Sequence, residues 1–343
     1  MTNTKLKRAP AAPRLDLTRS QILAFRRSVA ALDQRLAPGR RSLRHAAWAG
    51  LQDSMPRAAL LSIHARVEGA HASIWEDASL VQIWGPRYST YVVAACDRAV
   101  FTLGRLPDDP RARARAKEMA ARLHAVLAGR RMTDREVGLG NAVRYAAPTG
   151  TVLIRWEGAR APTVWTVPAP EVDPVDARLE LARRYLHVFG PATPAAFAEW
   201  AGVGPAEAHA AFDSLARSLT PVRTPVDEGW ILSSDEPAFR APAGAPTAAR
   251  LLPSGDTYFL LQGVDRELLV PDAARRGELW TPRVWPGAVL LAGEIVATWR
   301  RAQANLTIQP WRRLTRAERD AVEAEAALLP IPGIERIAVR WDH

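Results

Sequence analysis

Three consecutive polar residues, Gln52, Asp53 and Ser54, stand just before Pro56, between two apolar stretches of the chain. An amide oxygen can orient a water molecule, and a carboxylate can accept the proton of that water or favour a developing positive charge. A hydroxyl group can hold either of them by a hydrogen bond. These three residues are therefore the candidate catalytic residues of the chain.

The local backbone decides which of these side chains share a pocket. In an extended strand, neighbouring side chains point to opposite faces, so Asp53 would leave the pocket that holds Gln52 and Ser54, whereas in a turn both sets converge. A helix is expected to start at Pro56, a residue that favours the first helical position. Ser54 is then the expected cap of this helix, which does not exclude a role for Gln52 and Asp53.

Arginines supply the second kind of chemistry, because the guanidinium fork matches phosphate oxygens. Arg66 and Arg87 are candidate phosphate contacts, with ion pairs to Glu68 or Asp97 as an equally favoured alternative. A helix predicted from residue 109 to 130 begins with a row of arginines, which fits either a solvated face or a phosphate contact. The arginines expected on a common basic face are Arg111, Arg113, Arg115, Arg155 and Arg301.

Other side chains are weaker candidates. His64 falls within the predicted helix after Pro56 and is more often a core or surface histidine than a base. Trp156 and Trp165 lie on a predicted hairpin and are candidates for wedging into a nucleic-acid groove. The sequence has no phosphate-binding glycine loop, metal-ligand cluster or nucleophile elbow, so neither a metal nor a cofactor is expected.

Composition favours a polyanionic partner. The 343 residues include 46 basic and 36 acidic side chains, for a formal net charge of +10. Such a charge favours nucleic acids through counterion release, although an alkaline enzyme with no such partner fits equally well. Nearly all of the positive charge is arginine, which also fits the codon bias of a GC-rich genome. The single cysteine, Cys96, excludes a disulfide framework.

The N-terminus carries basic residues but no apolar run of signal-peptide length, and no later segment reaches membrane-spanning length. We therefore expect a cytoplasmic, nucleoid-associated protein with no membrane contact and no obligate protein partner. Residues 1–16 are expected to form a disordered basic arm.

The order of patterns predicts repeated units. Three helical stretches followed by two β-rich runs, LVQIW and STYVVAA, are typical of a winged helix over residues 17–106. The same plan recurs over 107–170 and 171–236, with capping at Thr133–Glu136 and Thr193. A Pro/Ala-rich linker is expected over 237–249, followed by a β-rich domain over 250–343. There the runs RLLPSGDTYFLLQ and RELLVP are predicted to be strands, and Asp265-Arg266 a turn between them. A capping box at Thr315 begins a helix, and the fold class is α+β.

Four stretches in this order resemble the AlkZ/YcaQ family of winged-helix DNA glycosylases. AGLQDSMPRAALLSIHARVEG is similar to the family's GLQ-x-Q-x-P stretch, and IWGPRYSTYVVAACD matches the spacing of W-x-x-R-G-T-x-H-x-V-x-x-x-D. YLHVFGPATPAAFAEWAGV resembles the signature of the third unit. LLPSGDTYFLLQGVDRELLVPD and VLLAGEIVATWR resemble the C-terminal domain.

The resemblance implies a C-shaped basic clamp around duplex DNA, made of three tandem winged helices and the β-rich domain. It also implies hydrolysis of the N-glycosidic bond of alkylated purines, including bulky N7-alkylguanines, by a monofunctional enzyme. Gln52 corresponds to the first catalytic glutamine, whereas Ser54 replaces a second Gln or Asp. Arg87 corresponds to a family arginine, Tyr91 stands in place of a histidine, and Arg266 is expected near DNA.

Two further functions are compatible with the sequence. A winged-helix DNA-binding protein that has lost catalysis, acting as a damage sensor or regulator, fits the altered Gln-Asp-Ser motif. A scaffold that uses winged helices for protein contacts is the more distant alternative, because a fold does not determine a function. The leading hypothesis is a repair enzyme acting on double-stranded DNA with alkylated purines, in self-protection against a genotoxin.

Overall fold

The computed structural model describes residues 15–158, 160–242, 248–261 and 263–342. Within these ranges the strands form three sheets with helices packed around them, in agreement with the α+β class. Most of the expected N-terminal arm lies outside the described residues. Its last two residues, Leu15 and Asp16, form a short strand, β1, instead of disordered chain.

The first segment, up to residue 106, places helices before a hairpin. Its elements are β1 (Leu15–Asp16), α1 (Arg19–Val29), α2 (Arg40–Ala46), β2 (Leu51–Gln52), α3 (Ala58–Arg66), β3 (Leu80–Trp84), β4 (Thr90–Ala94) and α4 (Arg98–Thr102). Thr18 and Gln21 form a capping box that starts α1. The expectation that Pro56 begins the third helix is wrong: α3 begins at Ala58, after Arg57 in a left-handed conformation with φ 67°.

The second segment repeats the order of helices followed by a hairpin. It contains α5 (Pro110–Leu127), β5 (Met132–Thr133), α6 (Asp134–Val137), a 3₁₀ stretch (Gly140–Thr149), β6 (Val152–Arg155) and β7 (Thr163–Thr166). Asp109 caps α5, and the capping box expected at Thr133 and Glu136 is confirmed. These caps satisfy amide groups that would otherwise lack a partner at the helix start.

The third segment has the same order once more. It contains α7 (Pro174–Phe189), α8 (Pro194–Ala201), α9 (Pro205–Leu215), β8 (Leu219–Arg223), β9 (Glu228–Leu232) and α10 (Glu236–Arg240). Thr193 caps α8 with Pro194 at its first turn, as the sequence predicts. Helix α10 occupies the beginning of the expected linker, and residues 243–247 lie outside the described part of the chain.

The hairpins join the segments through their sheets. A six-stranded sheet has the order β2-β4-β3-β6-β7-β5, so the hairpins of the first two segments share one sheet through the pairing of Gln82 with Ile154. A three-stranded sheet has the order β1-β8-β9, in which β1 runs parallel to β8. The first segment is therefore linked to both of the segments that follow it.

The C-terminal segment contains β10 (Arg250–Leu252), α11 (Asp265–Leu269), α12 (Ala273–Leu279), β11 (Gly287–Leu291), β12 (Glu294–Ala302), β13 (Asn305–Pro310), α13 (Arg316–Ala327) and β14 (Ala338–Trp341). Its five strands form one sheet in the order β10-β11-β12-β13-β14. The capping box at Thr315 is confirmed. The strand predicted for RELLVP is wrong, because this run forms α11, and Asp265-Arg266 begins that helix rather than a hairpin turn.

Candidate functional site

The segment with Gln52, Asp53 and Ser54 leaves strand β2 in an extended conformation. Gln52 pairs with Tyr91 on β4, and the Asp53 amide donates a hydrogen bond of 2.8 Å to the Thr90 carbonyl oxygen. Successive side chains in such a segment point to opposite faces. Gln52 and Ser54 accordingly line a cavity of about 410 Å³, whereas Asp53 is fully buried behind them. We call this space the Gln52 cavity.

Gln52 presents an unused acceptor. Its Nε2 donates a hydrogen bond of 3.1 Å to Ser54 Oγ, while its Oε1 is buried and has no hydrogen-bond partner among the described residues. Gly255, at φ +73°, packs against the carboxamide, and a Cβ atom there would lie 3.3 Å from Gln52 Cδ. A side chain at position 255 would therefore be strained and would crowd the amide. Within the described chain the Gln52 carbonyl oxygen therefore keeps an unused capacity to accept a hydrogen bond.

Asp53 has a different set of partners. Its Oδ1 accepts a hydrogen bond of 3.0 Å from the Ala59 amide in the first turn of α3, and its Oδ2 accepts one of 2.7 Å from Gln82 Nε2. Burial raises the pKa of Asp53 to about 7, and the hydrogen bonds from Ala59 and Gln82 oppose that rise. Asp53, and not Ser54, bonds the start of α3, so the expected cap at Ser54 is wrong. The direct role expected for Asp53 in the cavity does not fit its position.

The walls of the Gln52 cavity are basic. Arg87, Arg266 and Arg283 line it together with Trp285, and none of its described lining residues is an aspartate or glutamate. Arg87 lies in the turn between β3 and β4 with φ 53°, a left-handed conformation that costs of order 1 kcal/mol in a residue with a side chain. The guanidinium of Arg266 stacks over Trp280 and Trp285, with ring centroids 5.1 and 5.5 Å away. A cavity with these walls attracts anions.

Comparisons with known proteins identify the family of the chain. A family model described as "DNA glycosylase AlkZ-like" matches residues 43–329 of the chain. The chain belongs to the AlkZ-like family of DNA glycosylases. The resemblance seen in the four sequence stretches is thereby confirmed.

Two named proteins are similar to this AlkZ-like chain. An "Interstrand DNA cross-link repair glycosylase" of Streptomyces sahachiroi is 29% identical over 178 residues, which make up 49% of this chain and 46% of that protein. The match thus spans about half the length of either protein. A solved structure, Streptomyces sahachiroi DNA glycosylase AlkZ, has a TM-score of 0.77 and covers 96% of this chain and 100% of that chain, at 20% identity. That likeness establishes the fold.

Two residues expected to contact DNA are buried in the AlkZ-like fold. Tyr91 is fully buried among core residues, and a Cβ atom at Gly85 would lie 2.8 Å from its ring. Burial raises the pKa of Tyr91 to about 12. Arg66 is 1% exposed, and it contacts both carboxylate oxygens of Asp256 at 2.7 and 2.8 Å. The expected DNA contacts of Tyr91 and Arg66 are therefore wrong, and Arg66 pairs with a carboxylate that neither sequence alternative named.

The remaining arginines occupy three places. Arg111 and Arg115 are exposed on α5, where Arg115 lies over the ring of Tyr145, while Arg113 turns back to Asp108 and the Pro107 carbonyl oxygen. Arg155 is held by Glu76, Glu157 and the Trp75 carbonyl oxygen. Arg301 is half-buried on β12 and lines a second cavity. The expected set thus divides among different surroundings.

A chain of aromatic contacts leads from α5 toward the Gln52 cavity. The ring of Tyr145, 42% exposed, meets Tyr88 edge to face at 5.8 Å, and Tyr88 directly follows the cavity residue Arg87. The guanidinium of Arg115 on α5 lies over the ring of Tyr145, 5.1 Å from its centroid. The exposed arginines of α5 therefore lie on a surface that continues to the cavity.

The weaker candidates have structural surroundings. His64 is buried, its pKa is lowered to about 3 by that burial, and its Nε2 lies 3.1 Å from an Arg35 nitrogen. The Trp156 amide donates to Gln82 Oε1, and Arg131 stacks over the ring of Trp165 at 4.5 Å. None of the three lines the Gln52 cavity. The described residues also contain no cluster of side chains that could hold a metal ion and no helix long and apolar enough to cross a membrane.

Four residues of the site are not among the residues predicted from the sequence. Gln82 supports Asp53, and its signal was a single amide inside the apolar strand LVQIW. Arg283, Trp285 and Gly255 come from the C-terminal segment, some 200 residues from Gln52 in sequence. No local pattern marks them, because only the packing of that segment against α3 brings them to the cavity.

Proposed function

We propose that this AlkZ-like chain hydrolyses the N-glycosidic bond of bulky N7-alkylated guanine in duplex DNA, with Gln52 as the catalytic residue. The observation that carries the proposal is the buried Gln52 Oε1, which lacks a hydrogen-bond partner in the described chain and lies in a cavity with cationic walls. The relative named for interstrand cross-link repair favours bulky adducts as the damage. Self-protection against a genotoxin is the biological role that fits such a substrate.

Hydrolysis of this N-glycosidic bond does not require the protein to protonate the leaving base. An N7-alkylated guanine carries a positive charge, so it leaves as a neutral base without being protonated. What remains is to place a water on the face of the sugar opposite the base and to stabilise an oxocarbenium-like sugar, as in inverting glycoside hydrolysis. Gln52 Oε1 accepts a hydrogen bond from that water, and Ser54 holds the other end of the amide. The water oxygen bonds to the sugar, and its proton passes to solvent.

The cavity arginines bind the flanking phosphates. The positive charges of Arg87 and Arg283 would repel a cationic base, whereas phosphates neutralise them and position the strand. Because no described carboxylate lines the cavity, the negative charge near the sugar comes from the DNA backbone. Asp53 acts indirectly, by holding the backbone between β2 and α3 through its two hydrogen bonds.

The wider surface is proposed to be a clamp of three winged helices. Each of the first three segments has helices before an antiparallel hairpin, which is the order of a winged helix. The surface from Arg111 and Arg115 through Tyr145 to Arg87 supports one continuous DNA-binding face. This face consists mainly of arginines, which bind phosphates of any sequence. The affinity for duplex DNA should therefore depend little on base sequence and should fall steeply as the salt concentration rises.

The test measures abasic sites. A duplex with one 7-alkylguanine is incubated with the protein, cleaved at abasic sites with alkali and resolved on a gel. We expect Gln52→Ala to reduce base release by roughly 10²-fold or more, the usual scale for losing a positioned catalytic group, with nearly unchanged DNA affinity. Gln34→Ala, an exposed glutamine that does not line the cavity, is the matched control. Tight binding without release by the wild type would favour the non-catalytic DNA-binding module instead.

A further inference from the structure

A second cavity of about 200 Å³ adjoins the Gln52 cavity. Its walls include Pro56, Leu61, Pro286 and Trp299, and we call it the Trp299 cavity. Met55, Ser254, Val284 and Trp285 line both spaces, so the two cavities are consecutive parts of one groove. Nothing in the proposed catalytic step uses the Trp299 cavity.

Three chain segments run side by side from one cavity to the other. Residues 52–58 pass from Gln52 to Ala58, residues 253–255 from Gly255 back to Pro253, and residues 283–287 from Arg283 to Gly287. Met55 and Val284, at the junction, are 38% and 47% exposed, so both present apolar surface to a ligand in the groove. A ligand that crosses the junction would cover both of them.

The wall of the Trp299 cavity is apolar and polar in about equal parts, and the aromatic ring of Trp299 belongs to its apolar part. The indole N–H of Trp299 already donates a hydrogen bond of 2.9 Å to the Leu252 carbonyl oxygen, so the ring itself needs no polar partner. An apolar cavity of roughly 150 Å³ in another protein holds a benzene molecule. A space of about 200 Å³ therefore accommodates one aromatic ring with a small substituent.

The far wall carries two cations. Arg300 donates to the Val284 carbonyl oxygen at 3.0 Å, and Arg301 donates to the Gln303 carbonyl oxygen at 2.7 Å. Within the described chain neither residue forms an ion pair, and both residues line the cavity. Each has further N–H donors, which suit an oxygen acceptor on a ligand.

We propose that the Trp299 cavity receives the N7 substituent of the damaged guanine, an apolar group about the size of one aromatic ring with an oxygen acceptor at its far end. This inference rests on the proposed function and adds one placement to it: the base lies on the side of the sugar away from Gln52, next to Met55 and Val284. The substituent then crosses Met55 and Val284, and the oxygen acceptor meets Arg301. The cavity so determines which alkyl groups the enzyme removes efficiently.

The experiment compares three duplexes, each with one 7-methylguanine, 7-benzylguanine or 7-(4-carboxybenzyl)guanine. Ala58→Leu fills the Trp299 cavity from the start of α3, and we expect it to lower the ratio of benzyl to methyl release at least ~10-fold, the scale of a steric change in an apolar pocket. Ala206→Leu, an exposed position in the first turn of α9, should leave the ratio unchanged.

Arg301→Ala provides the second arm and does not fill the cavity. We expect it to lower the ratio of carboxybenzyl to benzyl release roughly 10-fold, because the carboxylate loses a charged hydrogen-bond donor. This arm decides the matter if Ala58→Leu does not fold.

The outcomes separate the two proposals. Release of no base from any duplex by the wild type refutes the proposed function. Release of all three bases, with both ratios unchanged in the folded variants, refutes the Trp299 cavity as the substituent site and leaves the function standing.

Discussion

Arg66 and Arg87 belong to the same segment of the chain, and both are expected from sequence to contact phosphate, yet the fold uses them in opposite ways. Arg66 is buried against Asp256, Ser62 and Thr257, and it ties α3 to the C-terminal segment. Arg87 lines the open Gln52 cavity. A shared residue type therefore says little about function until the position of the nearest carboxylate is known.

The same division holds across the molecule. Several buried arginines join one segment to another: Arg105 donates to the Ala201 carbonyl oxygen, Arg178 to Asp108 and Arg184 to Asp97. Arg111 and Arg115 are instead exposed on α5, and Arg87 and Arg283 line the open Gln52 cavity. The net charge of +10 overstates the binding surface, because part of the positive charge holds the segments together.

Removing the buried arginine, Arg66, tests the difference between buried and exposed arginines most directly. We expect Arg66→Ala to reduce the free energy of unfolding by ~3–5 kcal/mol, because it leaves the buried Asp256 carboxylate without its bidentate partner. Chemical denaturation followed by circular dichroism measures the change. In Arg240→Ala, which removes an exposed ion pair with Glu236, the loss should be at most ~0.5 kcal/mol. Equal losses of unfolding free energy in the two variants would mean that the buried ion pair stabilises the fold no more than the exposed one.

Asp53 is buried behind the cavity that its neighbours Gln52 and Ser54 line, and this burial should be measurable as a pH dependence of stability. Its pKa is raised from 3.8 to about 7 by burial, so the folded chain keeps the proton over a range in which the unfolded chain has lost it. The free energy of unfolding should therefore fall as the pH rises from about 4 to about 7, and be constant for this group outside that window.

In Asp53→Asn this fall disappears. The difference in unfolding free energy between wild type and variant should change by at most ~4 kcal/mol across the window, at about 1.4 kcal/mol for each pKa unit. Parallel pH profiles for the two proteins would contradict the raised pKa, and a carbon-13 NMR titration of the Asp53 carboxyl group measures it directly.

The order of elements could be predicted from sequence because it depends on local chemistry. The capping residues Thr18, Thr133, Thr193 and Thr315 bond amides within their own first turns, so their signals need no tertiary information. The run RELLVP was misread as a strand. Its apolar residues are too few to distinguish a buried strand from one short helix, and the packing of α11 decides between them.

The site was predicted only in part, for a similar reason. Alternation along β2 correctly separates Gln52 from Asp53 once the segment is extended, but no local signal distinguished Ser54 from Asp53 as the partner of α3. Arg57 takes a left-handed conformation, which moves the helix start beyond Pro56 and brings the Ala59 amide to Asp53. The Arg66 pairing depends on Asp256, which lies 190 residues away.

Substituting Arg87 tests whether the Gln52 cavity binds DNA phosphates. We expect Arg87→Ala to weaken binding to undamaged duplex about 10-fold and to reduce the slope of log affinity against log salt by roughly 1, the value for one lost phosphate contact. Fluorescence anisotropy at several salt concentrations provides both quantities. Arg240→Ala again serves as the control, with no change in slope expected, and an unchanged slope in Arg87→Ala would remove Arg87 from the DNA contacts.

Ser54 should show the smallest effect, and its readout separates two roles. The side chain is exposed and does not cap α3, so Ser54→Ala should change the free energy of unfolding by less than ~0.5 kcal/mol, as for most surface positions. Its Oγ accepts the hydrogen bond from Gln52 Nε2, and losing that bond should loosen the amide and lower base release roughly 5-fold, about 1 kcal/mol of activation free energy. Ser54→Thr keeps the hydroxyl and should recover most of the rate. A stability loss near 1 kcal/mol with an unchanged rate would instead make Ser54 a structural residue, and Gln52 would then be held by Gly255 alone.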